Sequence, residues 1–76
     1  MTRKEIRIKI WLLAAQCYAE MSGWEVVVFL PTQIRLKGRN MAVDLFPVHQ
    51  KVNVVGTSKY IKLEESIQDY LDKLIL

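Results

Sequence analysis

The chain has one cysteine, one histidine, three glycines and two prolines in 76 residues, and those shortages exclude a good deal. A lone Cys17 allows no intramolecular disulfide and no cysteine-rich metal site, which suits a reducing compartment and makes core filler its expected role. A lone His49, in a turn without a neighbouring cysteine or acidic pair, makes no metal site and leaves an ordinary turn residue. No apolar run approaches the roughly 20 residues of a membrane span. No glycine-rich phosphate loop, nucleophile elbow or kinase signature is present, so neither an enzyme nor a cofactor is expected. Arg3, Lys4, Arg7 and Lys9 ahead of Ile10-Trp11-Leu12-Leu13-Ala14-Ala15-Gln16-Cys17 loosely mimic a signal sequence. The run is short, Glu5 interrupts the charged part and Gln16 is not small, so a cytoplasmic location is expected.

What is present is a single domain, 1–76, near the size at which one core without staples is only marginally sufficient, so self-association would help it. Hydrophobic residues make up 51% and charged residues 25%, as in ordinary folded chains. The formal net charge of +3 leans toward anionic partners without specifying one.

Between Lys4 and Met21 there is no glycine or proline, and Ile6, Ile10, Leu13, Ala14, Cys17 and Met21 recur at three- and four-residue spacing, which predicts a helix ending at Ser22-Gly23. A second apolar set, Ile8, Trp11, Ala15, Tyr18 and Ala19, is expected on a neighbouring face. A helix this apolar is deeply buried, with Trp11 and Tyr18 wrapping a sheet edge, or else those two residues form a dimer contact. Trp24 to Leu30, Gln33 to Lys37, Met41 to Phe46 and Lys51 to Val55 read as strands, punctuated by Pro31-Thr32, Gly38-Arg39-Asn40, Pro47-Val48-His49-Gln50 and Gly56-Thr57-Ser58. Tyr60 to Lys62 is an ambiguous approach to a closing helix. That helix carries Leu63, Ile67, Tyr70, Leu71 and Leu74 on one stripe, with Glu64 and Glu65 in its first turn and Lys73 in its last. The expected fold is therefore α+β in two layers: a helix, an antiparallel meander of three or four strands, and a helix, with both helices on one sheet face and the other face solvated.

Strict alternation in Ile34-Arg35-Leu36-Lys37-Gly38-Arg39 sends Ile34 and Leu36 to the core and Arg35, Lys37 and Arg39 to water. With Glu25 facing water, the same rule places Val27 and Phe29 outside and Trp24, Val26, Val28 and Leu30 inside. Asp44, Phe46, Lys51 and Asn53 join the outer face, where Asp44 and Lys51 can form a cross-strand ion pair. Phe29 and Phe46 among Arg35, Lys37, Arg39 and Lys51 form a candidate surface for a protein or for nucleic acid, since exposed aromatics stack bases while cations hold phosphates. The same pattern also serves simply to keep a strand soluble.

The segment Val43-Asp44-Leu45-Phe46-Pro47, followed by Lys51-Val52, Gly56 and an amphipathic helix ending Tyr70-Leu71, resembles a group of small phage and prophage proteins. Val52 stands where that group has an aromatic, and His49-Gln50 where it has Thr-Gly. The resemblance implies a viral or prophage accessory protein and carries no defined activity; the role expected for this chain is to bind a host or viral macromolecule in the host cell. A protein partner is expected first, with nucleic acid or a homodimer through the first helix as alternatives. The element order is also similar to HicA-type toxins and to the double-stranded-RNA-binding fold. HicA-type toxins cleave RNA with a histidine in the second-strand region, where this chain has Gln33 and Arg35; fold analogy alone carries no activity.

Overall fold

In the computed structural model, which describes residues 1–75, the first helix, α1, runs Arg3–Ser22. Its start is chemically marked: the Thr2 hydroxyl accepts from the Glu5 backbone N–H at 3.2 Å, with Glu5 in the first turn, as in a capping box. Gly23 closes it in the left-handed conformation, φ 75°, where a side chain would be strained. Five antiparallel strands follow in simple meander order: β1 Glu25–Leu30, β2 Gln33–Lys37, β3 Ala42–Phe46, β4 Lys51–Val54 and β5 Ile61–Lys62. The second helix, α2, is Ile67–Ile75.

The two-layer α+β arrangement matches the sequence expectation, with one strand more. The ambiguous Tyr60–Lys62 segment supplies β5, which pairs Lys62 with Lys51 and Ile61 with Val52. Leu63 extends that pairing by donating its N–H to the Gln50 carbonyl at 2.8 Å. The closing helix consequently starts later than its apolar stripe suggests. Ser66 caps it by accepting from the Asp69 N–H, and Glu64 and Glu65 precede it. Glu65 still serves α2, through a 2.6 Å ion pair with Lys73.

The core lies between the helices and one sheet face. Ile34, Leu36, Val43, Leu45 and Val52 are fully buried on that face, against Trp11, Ala15, Tyr18 and Ala19 of α1 and Ile67, Tyr70 and Leu71 of α2. Ala15 and Ala19 are small enough to let α1 approach the sheet closely, while Trp11 and Tyr18 fill the space beside them. Tyr18 and Trp24 meet edge to face at 5.9 Å, and the Trp24 ring lies over Gly38, where an added Cβ would sit 2.7 Å from Cε2. Gly38 is thus required by close approach and not by its backbone angle. The Tyr18 hydroxyl donates to Asp72 Oδ1 at 3.3 Å, tying the two helices together.

Two sequence expectations are corrected by this packing. The Ile6 and Trp11 sets do not share neighbouring faces; at about 100° per residue their stripes are nearly opposite one another. Trp11, Ala15, Tyr18 and Ala19 of the second set are core and Ile8 is half-buried; of the first set Ala14 is half-buried against the core, and Ile6, Ile10, Leu13, Cys17 and Met21 face outward. Cys17 is therefore exposed and not core filler.

The second correction is in β1. Its pairing with β2 runs Val26 to Leu36, then Val28 to Arg35 and Phe29 to Ile34, with a bulge that absorbs Val27. One extra residue reverses the phase of everything after it. Phe29 lies on the helix side with Ile34, and Val28 and Leu30 lie on the open side with Arg35 and Gln33, opposite to what unbroken alternation predicts.

Candidate functional site

Two surfaces come into question: the open sheet face read from the sequence, and the outward side of α1 together with β1. On the open face, β2 and β3 bring Arg35 opposite Asp44. Arg35 Nε donates to Asp44 Oδ1 at 2.7 Å and one terminal nitrogen donates to Oδ2 at 3.0 Å, a bidentate pair over a buried carboxylate. The partner of Asp44 is thus Arg35 and not Lys51, which lies opposite Phe46. The adjacent carboxylate, through its hydrogen bond and its charge, raises the Arg35 pKa further above its ordinary value. Arg35 is engaged within the sheet, leaving Lys37, Arg39 and Lys51 without an ion-pair partner among the described residues.

The rest of that face is partly covered. Asn53 donates to the Thr57 carbonyl at 3.1 Å and the Lys59 carbonyl at 2.7 Å, which pulls the β4–β5 connection across the sheet. Asn53 is buried as a result. The same fold-over sets Tyr60 against Phe46, ring centres 5.7 Å apart. Phe46 is therefore half-buried beside Tyr60, His49 and Lys51 in a shallow depression.

The sequence-predicted residues are thus not one constellation. Arg35, Lys37, Phe46 and Lys51 share the open face, Arg39 stands in the β2–β3 turn beside Trp24 and Lys37, and Phe29 is on the opposite side of the sheet. Trp11 and Tyr18, at 7% and 5% exposure, are inside the core of a single chain and are not available as dimer contacts. Arg7 of the basic N-terminal cluster has a structural role that sequence reading missed. Its guanidinium donates to the Pro47 and Val48 carbonyls and to Gln50 Oε1, holding the β3–β4 turn, in which Gln50 adopts φ 52°.

The second surface is apolar. Ile10, Leu13 and Met21 are 57%, 63% and 80% exposed, with Ile6 before them and Cys17 between Leu13 and Met21 along the crest of α1. Phe29 extends it sideways, bordering a shallow depression with Lys9, Leu12, Leu13 and Gln16. Val27 and Leu30 are exposed farther along β1, which is an edge strand. A crest of large aliphatic side chains opposite the buried stripe of the same helix costs solubility without stabilising the single chain. The signal for it was present in the sequence as a second complete apolar period in α1.

Among the described residues no group of three or more His, Cys, Asp or Glu side chains comes together to hold a metal, and no helix is long and apolar enough to cross a membrane. Comparison with protein-family models, curated proteins and solved structures gave no match.

Proposed function

We propose that the chain is a non-catalytic protein-binding module whose contact surface is the outward side of α1 with Phe29 of β1. The observation that carries this reading is the exposed apolar crest Ile6, Ile10, Leu13, Cys17 and Met21, turned away from the helix's core-facing stripe. Interface centres are depleted in charge and rich in large apolar side chains, with polar residues at the rim, as Lys9 and Gln16 stand here beside Leu13. The phage-protein resemblance of Val43–Pro47 supplies the setting: an accessory protein that binds, and by binding modulates, a host or viral protein.

The test is capture from bacterial lysate, with and without nuclease treatment, on immobilised wild type, Leu13→Glu and Lys37→Glu. Protein retained by wild type and by Lys37→Glu, and reduced at least about tenfold by Leu13→Glu, is the expected result, since a carboxylate placed at the centre of an apolar contact costs well over the roughly 1.4 kcal/mol that a tenfold change requires. Retention that ignores Leu13→Glu, but is lost on nuclease treatment and in Lys37→Glu and falls steeply with salt, contradicts it and assigns nucleic acid to the basic sheet face.

A further inference from the structure

The order of residues along the α1 crest says which protein covers it. Arg3, Ile6, Ile10, Leu13, Cys17 and Glu20 follow one another at spacings of three and four, the seam pattern of paired helices. The series is symmetric about the point midway between Ile10 and Leu13. Turning a second copy end for end about that point sets Ile10 against the partner's Leu13, Ile6 against the partner's Cys17, and Arg3 against the partner's Glu20. Each contact then occurs twice, as a two-fold interface requires. The apolar residues meet in the middle and opposite charges close both ends. A parallel pairing of the same stripe sets Arg3 on Arg3 and Glu20 on Glu20, two like-charge contacts.

The exposure agrees with this occupant: Ile6, Ile10 and Leu13, at 44%, 57% and 63%, supply an apolar centre of the kind that interfaces surround with a polar rim. The rim is available in Arg3, Lys9, Gln16 and Glu20, all exposed. A chain of this size, with a core close to the minimum, gains most from such burial.

We infer that the chain forms a two-fold homodimer through antiparallel packing of α1 on α1, with Arg3–Glu20 ion pairs between subunits at both ends. The inference rests on the reading of this surface as protein-binding and names its partner as a second copy of the chain in place of a different host or viral protein.

Antiparallel geometry makes a distinctive cross-linking prediction. The two Cys17 residues lie about 16 Å apart along the axis, eleven residues at 1.5 Å each, too far for a disulfide, whereas position 6 is beside the partner's Cys17. Ile6→Cys treated with diamide is expected to give a covalent dimer, and wild type under the same conditions is not. In sedimentation equilibrium, Arg3→Glu and Glu20→Arg are each expected to weaken the wild-type dimer about tenfold, and the double reversal to restore it. Circular dichroism confirms that each variant is folded, which exposed positions should permit. A wild type that cross-links through Cys17 alone, an Ile6→Cys chain that does not cross-link, or charge reversals that are not rescued together overturns the arrangement. A wild type that stays monomeric to about millimolar concentration, the weak end of specific affinity, overturns the dimer itself. That last result leaves capture by wild type and its loss in Leu13→Glu to decide the broader reading separately.

Discussion

Arg35, Asn53, Arg7 and Tyr18 show how polar side chains fix this fold where the apolar pattern leaves freedom. Arg35 covers the Asp44 carboxylate, Asn53 holds the connection after β4, Arg7 holds the turn before it, and Tyr18 joins α1 to α2 through Asp72. Sequence alternation located Arg35 on the open face, but its pairing depends on the β2–β3 register, which the Gly38 turn and the Trp24 ring over it help to set. Tyr18 yields a pH prediction. Burial, reinforced by the Asp72 charge, raises its pKa above 10.0 despite a hydrogen bond with Ser22 that lowers it; burial, with Glu65, does the same for Tyr70. A folded-state pKa above the unfolded one means that the stabilisation is fully present below pH 10.0 and is lost as pH rises through the folded value. Denaturation of wild type and Tyr18→Phe is expected to show a constant stability gap at neutral pH that narrows above that point. A gap unchanged to about pH 12 contradicts the assignment, because a phenol of ordinary reference pKa near 10 ionises within that span.

At the scale of elements, the helices, four of the strands and the turns between them were legible because their apolar periods and breakers are clean. Two features were not. Val26-Val27-Val28 offers no polar residue to mark a phase, so a bulge within it leaves no trace in composition; only pairing with β2 reveals that Phe29 shares the helix side. In α1 two apolar stripes compete for the core, and periodicity cannot rank them. The choice is made by shape: Ala15 and Ala19 permit close approach to the sheet, flanked by Trp11 and Tyr18, whereas the Ile6 stripe offers no comparable groove. The bulge can be tested by removing it. Deleting Val27 restores regular alternation and keeps Val26 and Phe29 on the helix side, so the fold is expected to persist with a stability change within about 1 kcal/mol, measured by urea unfolding. An unfolded chain would show instead that β1 has no spare residue, since a slip of one position sends a strand's whole apolar set to the wrong face.

For the whole molecule, the sheet separates two surfaces of different character. The open face, where strand alternation places a candidate surface for a protein or nucleic acid, has Arg35 committed to Asp44, Phe46 against Tyr60, and Phe29 on the other side of the sheet. Among the described residues the outward side of α1 has no such internal engagement, and its crest Ile6, Ile10, Leu13, Cys17 and Met21 is exposed. Self-association through it would bury an apolar surface beyond what one copy needs, in a chain near the size at which one core is marginal. Sedimentation equilibrium of wild type against Leu13→Glu addresses this most directly, because Leu13 is exposed in the single chain and its replacement leaves the core intact. The wild type is expected to sediment as a dimer at micromolar concentration, and Leu13→Glu as a folded monomer, its dissociation constant raised by about 30-fold for each of the two copies of the change. Equal molecular weights for the two proteins across that range would contradict the account.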